Sequence, residues 1–249
     1  MALSLKQRLV TALVPSPLYY RSRIADEAAW GEHELSVLPK FVSRGGTAID
    51  IGANDGVFAF ALSRLVDRVE AFEPNPDYAL FARRMLRSRA VLHETALSNT
   101  AGRAEFVVPV SEEGVVLHLG GSLRQPPGPA ARALRFDVVV RTLDSYAFED
   151  VRVIKIDVEG SEMDVLQGGR QTIERHRPAL IVELLTGTHA EPIELSREIC
   201  RTYGYQSWIV TKEGAFVEAL PVIQSLGTNT TWGSSILNRN VLFLGRDAN

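Results

Sequence analysis

The chain has 249 residues, 45% of them hydrophobic and 23% charged, with a formal net charge of −3. That balance excludes a disordered or fibrous polypeptide and argues against a nucleic-acid binder, whose Lys and Arg would dominate. Cys200 is the one cysteine, which excludes an intramolecular disulfide and a cysteine metal cluster and points to a reducing, cytoplasmic setting.

Residues 1–44 carry no strand pattern and are expected to form a helical cap over the edge of a sheet. Within them the run Leu9–Val14, behind Lys6 and Arg8, is too short and too soon interrupted by Pro15 and Pro17 to act as a signal peptide. No stretch reaches the roughly 20 apolar residues of a membrane span. From about residue 46 short apolar runs alternate with amphipathic ones, the pattern of a parallel α/β sheet covered on both faces. Thr47–Ile51 reads as the first strand, residues 56–66 as a helix and Val69–Phe72 as the second strand. Asn75-Pro76-Asp77 opens the next helix: Asn75 caps, Pro76 suits the first turn and Asp77 complements the dipole. Arg83, Arg84, Arg87 and Arg89 follow and read as one solvated face.

Val91–Thr95 is a third strand. Between residues 96 and 135 the pattern changes to a hairpin, Ala104–Val110 with Gly114–Leu119, and a loop at Gln125–Pro129, an insertion expected on the acceptor side. Phe136–Val140 resumes the apolar pattern and Val151–Asp157 is a central strand. Ser161 with Asp164 resembles a capping box opening a helix to about His176. Ala179–Leu185, Pro192–Tyr203 and Val241–Leu244 read as strand, helix and closing strand. One domain spans 1–249, with a cofactor-binding core at 45–185 and the rest of the sheet in 186–249.

In open α/β sheets the ligand crevice lies beyond the carboxyl ends of the strands, where Asp50–Gly56 falls. Gly52 and Gly56 let the backbone approach a ligand closely. The spacing fits neither G-x-G-x-x-G nor a P-loop, which disfavours a nicotinamide-dependent oxidoreductase, and the carboxylates of Asp50 and Asp55 would repel a diphosphate. They suit a nucleoside bearing an amino group and a sulfonium, and S-adenosylmethionine has both. Glu73 ends the second strand, where an acid can accept both ribose hydroxyls.

Asp50-Ile51-Gly52-Ala53-Asn54-Asp55-Gly56, Phe72-Glu73-Pro74, Glu94-Thr95-Ala96-Leu97-Ser98, Thr142-Leu143-Asp144 and the segment Ile154-Lys155-Ile156-Asp157-Val158-Glu159-Gly160-Ser161-Glu162 together resemble the FkbM-type methyltransferase family, in order and spacing over residues 45–185. The resemblance implies a class I methyltransferase, Rossmann-like fold with a seven-stranded, mainly parallel sheet. It also implies O-methylation of a hydroxyl on a sugar, glycan, glycolipid or polyketide-type product, with S-adenosylhomocysteine released. Asn54 and Pro74 fall within its cofactor motifs, and Ala96, Leu97 and Ser98 are placed near the adenine.

Asp157 and Glu159 emerge at the crevice end of their strand and Glu183 belongs to the neighbouring strand. Asp157 is the first candidate for general base or for holding the cofactor's amino group, Glu159 the next base, Glu183 the third. A divalent metal bridging the three is conceivable but not expected. Lys155 points away from Ile154 and Ile156 and reads as structural. Of the five histidines only His118, on the inserted hairpin, is a candidate to act on substrate. Tyr19, Tyr20 and Trp30 are either a sugar-stacking lid or, more commonly for such residues, core. The competing reading is a cofactor-binding module without catalysis that works through protein partners. A homodimer stays open.

Overall fold

A computed structural model describes residues 4–110, 121–123, 132–184, 192–226 and 240–245. Its frame is an eight-stranded sheet. The strands, in chain order, are β1 (Thr47–Ile51), β2 (Arg68–Phe72), β3 (Val91–His93), β7 (Val151–Ile156), β8 (Ala179–Glu183), β9 (Tyr205–Val210), β10 (Phe216–Glu218) and β11 (Asn240–Gly245). They are ordered β10-β9-β11-β8-β7-β1-β2-β3. From β3 through β8 all neighbours are parallel, and β11 runs antiparallel between β8 and β9. The expected seven strands become eight because β10 folds back as an antiparallel edge on β9. Going out from β1 the chain builds one way to β2 and β3 and later the other way to β7 and β8, so the carboxyl ends of β1 and β7 form the switch point where such sheets bind ligands.

Alternation along the central strands divides the core between two faces. Ile49, Ile51, Ile154, Ile156, Leu180 and Val182 pack under α6 (Glu162–Gly168), α7 (Arg170–His176), α8 (Pro192–Tyr203) and α9 (Ala219–Leu226). Ala48, Val153, Ile181 and Leu242 face α4 (Val57–Leu62) and α5 (Pro76–Leu86). Of the N-terminal helices, α3 (Glu34–Val37) lies at the expected sheet edge, where Val37 abuts Gly214 of the β9–β10 turn, whereas α1 (Leu5–Leu13) and α2 (Ser16–Trp30) do not. They form an outer layer on that second face, α1 on α5 and α2 on α4, because Tyr20 is completely buried in a stack on Phe60 with ring centroids 4.5 Å apart. Burying such a ring contributes about 1.5–3 kcal/mol.

The insertion differs in its pairing. β5 (Gly102–Pro109) and β6 (Ala133–Arg141) pair antiparallel, with β4 (Ala96–Leu97) parallel to β6, as a separate three-stranded sheet. Phe136–Val140 therefore leaves the main sheet and puts Val138 and Val140 against Ala96, Phe106 and Val108. The expected strand Gly114–Leu119 and loop Gln125–Pro129 lie outside the described residues. Asn75 caps α5 through its side chain as predicted, accepting from the Asp77 N–H at 3.1 Å. Ser161 makes no capping bond, and the helix expected to run to His176 divides at Gly169 into α6 and α7. A Cβ on the preceding Gly168 would stand 2.1 Å from the Ser98 carbonyl oxygen, so α6 ends in close backbone contact with the turn after β4.

Candidate active site

A cleft partly open to solvent lies at the switch point. Its floor is the turn after β1. Gly52 has φ +81°, and a Cβ there would sit 1.7 Å from the Asp157 carbonyl oxygen, so only glycine lets the turns after β1 and β7 meet. The Gly52 and Ala53 N–H groups both donate to the Phe72 carbonyl at 2.9 Å, and the Asp157 N–H donates to Ile51 at 2.9 Å.

Glu73 closes one wall. It is 6% exposed, and its two oxygens accept the backbone N–H groups of Asn54 and Asn75, each at 2.8 Å. Burial pushes its carboxyl up to about 7 although both backbone bonds favour the ionised form. A carboxylate offers about four lone-pair sites, so these bonds leave acceptor capacity facing the cleft. Pro74, Asn75, Tyr78, Thr95, Ala96 and Leu97 continue that wall.

The opposite wall carries the carboxylates. Lys155 is 1% exposed, lies 5.1 Å from the centroid of the Phe58 ring and donates from Nζ to Asp157 Oδ2 at 3.2 Å. Glu183, 3% exposed, is hydrogen-bonded to Asp157, and burial followed by that neighbouring charge raises its carboxyl well above the usual range. Glu159 stands on a left-handed residue, φ +53°, with its carbonyl held at 2.9 Å by the Ser122 hydroxyl of the insertion. Glu162 Oε1 accepts from the Val158 and Gly160 N–H groups at 3.2 and 3.1 Å, folding the loop from inside instead of a Ser161 cap. One oxygen each of Asp157, Glu159 and Glu183 lies within 4.8 Å of the others, an arrangement that can share either a proton or a hard cation. Phe106, Gly121 and Leu123 of the insertion complete the lining.

Of the residues named from sequence, Gly52, Asn54, Glu73, Pro74, Ala96, Leu97, Asp157, Glu159 and Glu183 line this cleft. Four do not. Asp50 lies behind the turn, 2% exposed, on the strand position paired with Lys155, and burial pushes its carboxyl up to about 7. Its Oδ2 has no hydrogen-bond partner among the described residues. Asp55 turns toward α2: the Tyr19 hydroxyl donates to Oδ2 at 2.8 Å, Arg23 Nε to the same oxygen at 3.2 Å, and the Tyr20 hydroxyl to the Asp55 carbonyl at 2.8 Å. Gly56 caps α4 beneath the turn, against Leu86 and Tyr20, and Ser98 bonds Arg141. His118 lies outside the described residues.

The lid reading is corrected as well. Tyr20 is core, Tyr19 holds Asp55, and Trp30 is 85% exposed at the far end of α2 and absent from the cleft lining. Sequence reasoning missed Tyr78, Phe106 and the grip of α2 on Asp55. Nothing in the local pattern marks these, since each contact joins elements distant in the chain. Lys155 was legible as a buried cation needing a partner, and Asp157 is that partner.

A family model described as the methyltransferase FkbM domain matches residues 50–207. The 2-O-methyltransferase NoeI of Sinorhizobium fredii (strain NBRC 101917 / NGR234) is 34% identical over 145 residues, 52% of this chain and 59% of that protein. The match thus spans less than two thirds of that relative's length. The crystal structure of methyltransferase FkbM from Methylobacillus flagellatus KT aligns with a TM-score of 0.52 at 19% identity, covering 81% of this chain and 44% of that one, a likeness of fold. No helix among the described residues is long and apolar enough to cross a membrane.

Proposed function

The chain belongs to the FkbM methyltransferase family, and from that premise we propose that it is an S-adenosylmethionine-dependent O-methyltransferase acting on a hydroxyl of a sugar, glycan, glycolipid or polyketide-type product. The observation that carries the cofactor is the cleft's charge. Among the described residues its titratable lining is Glu73, Asp157, Glu159, Glu183 and Tyr78, with no Lys, Arg or His among them, a set suited to a cationic nucleoside and hostile to phosphates. The relative NoeI is described as a 2-O-methyltransferase, which supports a hydroxyl acceptor.

When bound, the cofactor supplies an electrophilic methyl group and a positive sulfonium. Glu73 is suited to accept the ribose hydroxyls with the lone pairs left by Asn54 and Asn75. The residues of the carboxylate wall divide the remaining work. Asp157 already accepts from Lys155 and is bonded to Glu183, which fixes its carboxylate in an arrangement that meets a cation. It is therefore better fitted to hold an ammonium group than to take a proton. Glu159 is tied through its carbonyl to Ser122 of the insertion that lines the outer cleft, and its carboxylate takes the acceptor hydroxyl's proton. Phe106 and Leu123 exclude water and orient the acceptor.

The test pairs two isosteric variants. With S-adenosylhomocysteine binding followed by calorimetry and turnover on a panel of hydroxylated acceptors, Asp157→Asn should weaken cofactor affinity at least about tenfold through a lost charge-assisted contact. Glu159→Gln should keep that affinity and lower kcat by about 10²-fold or more, the usual effect of a lost general base. The reverse pattern exchanges the two roles. Absence of cofactor binding by the wild-type protein sinks the reading.

A further inference from the structure

Away from the cleft, the outer N-terminal layer carries exposed apolar side chains among the described residues. Leu9 and Leu13 stand one turn apart on α1 and are 51% and 74% exposed, and Leu18 in the first turn of α2 is 62% exposed. Val10, between them in sequence, packs on the core, so the exposed leucines belong to the side of α1 turned away from the body. Three exposed leucines within ten residues are a concentration that a solvated helix does not need.

The charge around them is one-sided. Residues 1–25 contain Lys6, Arg8, Arg21 and Arg23 and no acid, and α1 packs on α5, where residues 78–90 contribute Arg83, Arg84, Arg87 and Arg89, again with no acid. These two segments hold eight of the 27 Lys and Arg residues and none of the 30 acids. Arg83 pairs with Glu94, and Arg23 with Asp55 and Glu27, whereas Lys6, Arg21, Arg84 and Arg87 are exposed. The rest of the chain is net acidic, with the other 19 of the 27 Lys and Arg residues against all 30 acids.

We propose that α1 and the first turn of α2 form a docking face for an anionic lipid bilayer, with Leu9, Leu13 and Leu18 entering the acyl boundary and the surrounding cations meeting the headgroups. Leucines set among Lys and Arg on a short helix with no acid are the composition of helices that lie in a lipid interface. A nucleic acid would call for aromatic stacking partners in place of aliphatic ones, and a second copy of the chain would bring two basic faces together. Leu18 precedes Tyr19, whose hydroxyl holds Asp55 of the turn after β1 at 2.8 Å, so the docking face is tied directly to that turn. The inference stands whichever hydroxyl the enzyme methylates.

The test is co-sedimentation of the full chain with vesicles of phosphatidylglycerol and phosphatidylcholine, and of phosphatidylcholine alone. The protein should bind the anionic vesicles and release as salt rises. Lys6→Gln with Arg8→Gln should weaken binding about 25-fold, from about fivefold per cation. Leu9→Gln, Leu13→Gln and Leu18→Gln combined should weaken it at least about 100-fold with the thermal midpoint unchanged, since all three are already exposed. Equal sedimentation of wild type and leucine variant overturns the proposal. So does binding of single-stranded RNA in place of vesicles, or a dimer in sedimentation velocity that the leucine variant dissolves while vesicles bind neither protein.

Discussion

Gly52→Ala tests how the site is built. The added Cβ would fall 1.7 Å from the Asp157 carbonyl oxygen, where real contacts do not go below 3.0 Å, so the turns after β1 and β7 must part by about 1.3 Å. The residue must also hold φ +81°, which costs an L-amino acid about 1–2 kcal/mol. Parting the turns strains the bonds from Gly52 N to Phe72 and from Asp157 N to Ile51, each 2.9 Å long and worth about 0.5–1.5 kcal/mol. Together these give a loss of about 3 kcal/mol. Gly56→Ala is the control: φ is +88°, but the nearest atoms are the side-chain ends Leu86 Cδ1 at 2.9 Å and Tyr20 Oη at 3.0 Å, which can move, so about 1–2 kcal/mol is expected. Urea unfolding should rank the variants in that order. Calorimetry with S-adenosylhomocysteine should show at least about a tenfold loss of affinity for Gly52→Ala, because Gly52 and Asp157 both line the cleft, and a smaller loss for Gly56→Ala. Equal stability and equal affinity of the two variants would refute the argument that the Asp157 carbonyl, rather than φ alone, demands glycine.

The pH dependence follows from Asp50 and Glu73, both pushed up to about 7 by burial. A raised carboxyl favours folding below its unfolded value near ~4, and that contribution is lost as pH rises through about 7. Stability without ligand should therefore decline over that window, while a cationic ligand favours the ionised forms, releases protons on binding and gains affinity as pH rises toward 8. Calorimetry in buffers of different ionisation enthalpy would reveal the protons, and a pH-independent affinity would count against it. Lys155→Met should destabilise by about 3–5 kcal/mol in urea unfolding, because Asp157 would lose its ammonium partner and Asp50 would stay buried without a nearby cation, and a loss under 1 kcal/mol would show that they do not depend on it. Tyr19→Phe and Arg23→Gln should each weaken cofactor affinity severalfold by loosening Asp55, about 1 kcal/mol per bond, and unchanged affinity in the double variant would show that the turn holds itself.

Much of this protein was legible before any coordinates. Thr47–Ile51 and Pro192–Tyr203 were read to the residue because an uninterrupted apolar run and a 3.6-residue period are local signals. Asn75 announced its helix by chemistry contained within three residues. β9 and β10 went unread because Gln206 and Ser207 interrupt the first run and the second has three residues.

The sequence by itself determined the class of sheet, the glycine turn and the acids that could meet a cationic nucleoside, since backbone conformation and charge type belong to residue identity. Only the tertiary structure decided which acids line the cleft. Asp50 and Asp55 sit in the same motif as Gly52, yet one turns back to Lys155 and the other to Tyr19 and Arg23. Strand alternation sends Asp50 to the face that carries Lys155 and Phe58, and α2 packs where it can claim Asp55. Partners more than thirty positions away set those directions, and spacing within a motif carries no information about them.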